Sequence, residues 1–189
     1  MRRLLLVRHA PTRATRSFAF PTDEPLDEQG RRAAVAFGAA LGGGRQEALC
    51  SPRLRCRETA LAANLSEARV VADLAECDFG SWAGRTLAEL SATDPAGVSA
   101  WMTDPAAAPH GGESLSVFTA RVGRWLDRQL ELDGRAIAVT HGGVVKAVVV
   151  HALRAPLDTF WRIDVTPLAV TEIHSHDGRW TVSRMNSPC

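Results

Sequence analysis

Four apolar residues, Leu4-Leu5-Leu6-Val7, run without alternation and stop abruptly at Arg8-His9. A run this short and unbroken suits a strand covered on both faces, because a one-sided strand alternates. A second run, Ala136-Ile137-Ala138-Val139-Thr140, has the same form and stops at His141-Gly142-Gly143. Two such strands point to an α/β fold: a three-layer sandwich with a mainly parallel central sheet and helices on both faces. Ligands of open α/β sheets collect beyond the carboxyl ends of the strands. Each of these strands delivers a histidine there. Arg8 adds forked donors suited to phosphate oxygens, and a neutral imidazole at His9 can act as a nucleophile near neutral pH. Taken alone, a strand ending in two solvated polar residues fits the first run equally well.

Composition narrows the partners. The chain has 189 residues, enough for one domain (1–189) with a large core. Its formal net charge is +1, so no overall field draws it to nucleic acid or a membrane, and any anion selectivity is local. Apolar stretches such as residues 144–150, broken by Lys146, are too short to span a bilayer. The Arg2-Arg3 start is followed by no signal-cleavage pattern. Four cysteines, Cys50, Cys56, Cys77 and Cys189, show neither paired nor metal-ligand spacing, which predicts reduced thiols and a cytoplasmic protein. His174 and His176 share a strand face with no third ligand nearby and read as surface, so no metal or cofactor is expected. The absence of a GxxxxGK[ST] run excludes a P-loop NTPase.

The remaining elements follow from periodicity. Residues 12–25 read as a loop rich in turn-formers, in which Phe18 and Phe20 either pin the loop to the core or wall a pocket. A helix over 27–41 is capped by Asp27 and stopped by Gly42-Gly43-Gly44. A short strand, Glu47-Ala48-Leu49-Cys50, precedes a helix that begins near Ser51-Pro52, and Val70-Val71 is a brief strand. Two short helices fall within 87–102, punctuated by Asp94-Pro95 and Asp104-Pro105. Leu115, Phe118, Val122, Trp125, Leu126 and Leu130 give a long helix over 114–132, another covers 144–153, and 165–182 form a hairpin around Asp177-Gly178.

Several segments, in order, resemble one family. Val7-Arg8-His9-Ala10-Pro11-Thr12 resembles the Arg-His-Gly opening of the histidine phosphatase superfamily, phosphoglycerate mutase-like branch, with Ala10 for Gly. Ser51-Pro52-Arg53-Leu54-Arg55 followed by Thr59-Ala60 resembles its Ser-Pro-Leu-x-Arg helix start and aligns Arg55 with the phosphate-binding arginine. Arg53 and Arg57 read as a solvated helix face. Leu74-Ala75-Glu76-Cys77-Asp78-Phe79-Gly80-Ser81-Trp82 is similar to the Leu-x-Glu-x-x-Phe-Gly-x-Trp segment, whose Glu is the family's proton donor. That implies Glu76; from the residues alone, Asp78 competes. Gly111-Gly112-Glu113-Ser114 matches a Gly-Gly-Glu-Ser element, and Val139-Thr140-His141-Gly142-Gly143 a Val-x-His-Gly-Gly segment.

The resemblance implies a metal-independent phosphomonoesterase acting on a small-molecule phosphate ester. His9 is the expected nucleophile, forming phosphohistidine, and Glu76 the proton donor. Arg8, Arg55 and His141 would neutralise the phosphoryl oxygens. Phosphate or substrate contacts are further expected from Thr15, Arg16, Gly142, Trp82 and Glu113. Thr15 stands where the family commonly has Asn, and Arg16 is expected to compensate. Glu113 is expected to cap the helix or to contact the histidines, two compatible roles. Two alternatives stand beside this: mutase-type phosphoryl transfer, for which the chain is compact, and a non-catalytic phospho-ligand-binding module. Oligomeric state is open, a homodimer included.

Overall fold

The structure, a computed structural model, describes residues 1–41 and 46–188. The Gly42-Gly43-Gly44 helix stop lies outside the described residues. Chain order is β1 (Arg2–Arg8), α1 (Arg13–Ser17), α2 (Glu28–Ala40), β2 (Glu47–Cys50), α3 (Leu54–Ala62), β3 (Arg69–Val70), α4 (Leu87–Thr93), α5 (Pro95–Thr103), α6 (Leu115–Arg128), β4 (Gly134–Thr140), α7 (Gly142–Ala152), β5 (Val170–His176) and β6 (Arg179–Ser187). The sheet runs β3-β2-β4-β1-β5-β6. Its first four strands are parallel, and the β5–β6 hairpin adds an antiparallel edge.

The unbroken apolar runs are explained by layers on both sides. On β1 and β4, Leu4, Leu6, Ala136 and Ala138 face Phe118 and Val122 of α6 and Val145 and Val148 of α7. Leu5, Val7 and Ile137 point the other way, to Phe37 of α2. Cys50 and Val139 meet Cys56 and Ala60 of α3 on that second face. Burying a side chain such as Phe118 stabilises the fold by roughly 1.5–3 kcal/mol. The sandwich therefore matches the expectation from sequence, with the β5–β6 edge as its antiparallel part.

Local chemistry fixes the helix starts. Ser114 Oγ accepts from the Val117 amide at 3.2 Å and begins α6, while Asp27 Oδ1 accepts from Gly30 at 2.6 Å to begin α2. The hairpin turn has positive φ at Asp177 (47°) and Gly178 (69°), as a two-residue turn of matching twist requires. Residues 12–25 depart from the expected loop by containing α1. One turn is too short to leave a periodicity, and its signal is the Thr12 cap, whose hydroxyl accepts from the Thr15 amide at 3.2 Å. Among the described residues no helix is long and apolar enough to cross a membrane.

Candidate active site

Adjacent, parallel β1 and β4 end level, with Arg8 opposite Thr140. The next residue of each strand is a histidine, and the His9 amide donates to the Thr140 carbonyl at 2.8 Å. The two imidazole centroids lie 5.3 Å apart. Arg55, from the first turn of α3, bridges them: Nε donates to His9 Nε2 at 3.2 Å and an Nη to His141 Nδ1 at 3.1 Å. Its other Nη donates to the Thr22 carbonyl at 2.7 Å.

This network sets the tautomers. His9 Nδ1 donates to the Ala10 carbonyl at 2.7 Å, which leaves the lone pair on Nε2. His141 Nε2 donates to Ser51 Oγ at 2.7 Å, which leaves Nδ1 to accept from Arg55. Burial, then the Arg55 charge, pulls His9 down to about 3. The same two causes hold His141 well below its ordinary 6.5. Both rings are neutral at physiological pH.

A cavity of about 260 Å³ opens in front of His9, lined also by Arg8, Thr15, Glu76 and the two glycines that begin α7. Arg8 donates through Nη1 to the Val165 carbonyl, but its buried Nε has no acceptor among the described residues. Gly142 lies against it; a Cβ there would sit 3.5 Å from Arg8 Nε. Glu76 stands on the loop that leaves the 3-10 turn Ala72–Leu74. Its Oε2 accepts from the Gly143 amide at 3.2 Å and its Oε1 from Cys77 at 3.1 Å. A Cβ at Gly143 would stand 2.2 Å from Glu76 Oε1, so the glycine makes room for the carboxylate. The chemistry available is a lone-pair nitrogen, unpaired donors for an anion, amides at a helix N-terminus, and a carboxyl group.

Arg8, His9, Arg55, Glu76 and His141 thus converge, with differences in rank. Arg55 lines an adjoining cavity of about 170 Å³ that shares Pro21, Glu76, Cys77 and Phe79 with the first. His141 is fully buried and reaches neither, because Ser51 and Arg55 occupy both its nitrogens. Asp78 is exposed; its Oδ1 accepts from the Gly80 amide at 2.9 Å, and it does not line the larger cavity.

Three expected contacts lie elsewhere. Arg16 does not support Thr15: neighbours on a helix diverge, and Asp27 Oδ2 holds its Nε at 2.7 Å on the exposed side. Trp82 is buried with Phe20, Leu90 and Val98, behind the cavity wall rather than in it. Glu113 neither caps α6, which Ser114 does, nor meets the histidines; it pairs with Arg121 at 2.6 Å. Of the two loop phenylalanines, Phe20 anchors this aromatic cluster and Phe18 is exposed. Lys146, Asp164, Phe160 and Trp161 also line the cavity and were not anticipated. Only Lys146 left a trace in the sequence, as the one charge within the apolar run 144–150.

The family model of the histidine phosphatase superfamily (branch 1) matches residues 4–188. A bifunctional protein of Mycobacterium tuberculosis is 33% identical over 198 residues, covering 97% of this chain but 53% of the relative. The chain therefore spans about half of that relative's length. The adenosylcobalamin/alpha-ribazole phosphatase of Salmonella typhimurium is 30% identical over 197 residues, covering 98% and 96% of the two chains. Among solved structures, a mycobacterial glucosyl-3-phosphoglycerate phosphatase in complex with VO3 superposes with a TM-score of 0.87 at 28% identity. It covers 99% of this chain and all of that one.

Proposed function

The chain belongs to the histidine phosphatase superfamily (branch 1), and from that premise we propose that it is a phosphomonoesterase hydrolysing a small phosphate ester through phosphohistidine on His9. The observation that carries the reading is the state of His9. Its Nδ1 is tied to the Ala10 carbonyl, its Nε2 keeps the lone pair, and Arg8, whose buried Nε has no acceptor among the described residues, lines the same cavity. Binding alone needs no nucleophile so prepared. Two of the relatives are named as phosphatases of small phosphate esters, alpha-ribazole phosphate and glucosyl-3-phosphoglycerate, which supports the same substrate class.

The steps follow from the atoms. An arriving phosphoryl oxygen takes over the Arg55 Nε–H, a charge-assisted bond that outcompetes the neutral imidazole as acceptor. His9 Nε2, released, attacks phosphorus in line, and a P–N bond forms as the P–O bond to the alcohol breaks. Arg8, Arg55 and the Gly142 amide hold the equatorial oxygens. Glu76 gives its proton to the leaving oxygen. As a carboxylate it then takes a proton from water, which attacks phosphorus and returns the lone pair to His9 as phosphate departs. His141 acts through Arg55, fixing the guanidinium from behind. No step calls on a metal. The setting proposed is the cytoplasm, with Cys50 and Cys56 as buried free thiols, the former pushed up to about 12 by burial.

The test is to trap the intermediate. Mixing with p-nitrophenyl phosphate in the presence of a chelator, then quenching in alkali, should trap acid-labile phosphate on the wild-type chain, more of it on Glu76→Gln, and none on His9→Ala. Phosphate release without that adduct would overturn the reading.

A further inference from the structure

Between Gly142 and Val150, helix α7 is buried except at three positions, Gly142, Gly143 and Lys146. Their spacing puts all three on one helix face, and all three line the cavity in front of His9. The glycines open the start of the helix towards the phosphoryl site. Lys146 stands one turn further along.

Its surroundings do not account for its charge. Among the described residues Lys146 makes no hydrogen bond and no ion pair; its ammonium stands over the face of Phe160, 5.3 Å from Nζ to the ring centroid. Burial pulls its pKa down, with Glu76 and Asp164 acting in the opposite direction. Neither carboxylate pairs with it: Glu76 is held by the Gly143 and Cys77 amides, and Asp164 Oδ1 accepts from the Val165 amide at 2.8 Å. The wall beside it is aromatic, with Trp101 and Trp161 stacked edge-on at 4.7 Å and Phe160 against Trp161 at 5.2 Å. An ammonium half-withdrawn from water beside apolar rings is costly unless a ligand anion completes it.

We propose that Lys146 is a specificity-determining residue that receives a second anionic group carried by the alcohol part of the substrate. This rests on the phosphate monoester reading above and sharpens it. The substrate class is a phosphate monoester whose alcohol bears a carboxylate, or a further phosphate, about one helical turn from phosphorus, with an apolar stretch against the rings. Esters of neutral alcohols leave the ammonium unpaired, and esters of amino alcohols oppose it.

Non-hydrolysable phosphonates test this without relying on turnover. Propylphosphonate, phosphonopropanoate and aminopropylphosphonate share a chain and differ in the terminal group. In calorimetry with the wild-type chain, the carboxylate probe should bind at least about tenfold tighter than the neutral one, as a charge-assisted hydrogen bond provides. Lys146→Met should close that gap, Lys146→Arg should keep most of it, and Lys146→Glu should turn the preference to the amine. The proposal is overturned if none of the probes binds, if the wild type does not prefer the carboxylate, or if Lys146→Met retains the preference. A wild type that shows the preference but forms no phosphohistidine would refute the catalytic reading and leave the Lys146 site standing.

Discussion

Arg121 grips Glu113 through two N–H···O bonds of 2.8 and 2.6 Å, and its other amino group donates to the Asp73 and Ala75 carbonyls at 2.8 and 3.1 Å. Glu113 accepts in turn from the Asp78 amide at 3.1 Å, and its own amide donates to the Asp78 carbonyl at 2.8 Å. The loop between these points carries Glu76. One ion pair outside the cavity therefore tethers both ends of the segment that aims the proposed proton donor. Burial works against the Arg121 charge, but Glu113 foremost, with Cys77 and Asp73, more than offsets it, so the guanidinium is held above its ordinary value.

Breaking that pair should misplace Glu76 without unfolding the chain. Arg121→Gln is expected to slow hydrolysis of alkyl phosphates by about 10- to 100-fold, the scale of a misplacement near 1 Å. The loss with p-nitrophenyl phosphate should be much smaller, because that leaving group needs little protonation. Arg121→Lys should recover only part, since an ammonium cannot make two parallel bonds. Equal losses on both substrates, measured as kcat, would refute the positioning role.

Glu76→Gln and Asp78→Asn separate the two carboxyl groups directly. The first should cost about 10²–10⁴-fold on alkyl phosphates and let phosphohistidine accumulate as a burst with p-nitrophenyl phosphate. The second should stay near wild type, because Asp78 faces solvent. Reversal of these results in burst kinetics would transfer the role to Asp78.

Gly143→Ala has a sharper steric outcome. The new methyl would stand 2.2 Å from Glu76 Oε1, a flexible side-chain tip, so the fold yields at the carboxylate rather than at the backbone. Melting temperature should change little, while the alkyl-to-aryl rate ratio falls as in Glu76→Gln. Retention of that ratio would contradict the geometry.

Acid should weaken the fold through the same two histidines proposed to serve the chemistry. Unfolded, both titrate near 6.5; folded, His9 is held to about 3 and His141 well below 6.5. Below about pH 6.5 the unfolded chain therefore binds protons that the folded chain refuses. Stability present above that pH is lost as pH falls towards the folded values, by about 1.4 kcal/mol per pH unit for each histidine. Urea midpoints measured at about pH 7.5, 6 and 5 should fall in that order. Replacing either histidine by glutamine should reduce the slope; a flat profile would contradict the neutral buried pair.

What could be read in the sequence was whatever is local. The apolar runs before His9 and His141, the Asp27 cap and the Asp177-Gly178 turn each carry their own signature, and the motif matches placed Arg55 and Glu76. Direction and distance were not local. Trp82 was expected at the substrate but packs behind the wall, so Trp82→Ala should cost stability, about 3–5 kcal/mol, by calorimetry. Glu113 reads from sequence as a helix cap or a contact to the histidines, yet Arg121, eight residues on, claims it. Phe160, Trp161 and Asp164 came from a stretch with no periodicity, and only folding brings them beside Lys146.

The position of β1 in the sheet also sets an order of events during synthesis. Its neighbours are β4 and β5, with Arg2 registered against Gly134 and Leu4 against Ile173. At about 5–20 residues per second, translation reaches β4 roughly 7–26 s after β1. Until then Leu4-Leu5-Leu6-Val7 is an unpaired apolar strand, open to non-native pairing with other nascent chains. The imidazole edge-on to His9 and the glycines that share its cavity arrive only with residues 134–152. A ribosome stalled before that point would carry an aggregation hazard and no hydrolytic site at all.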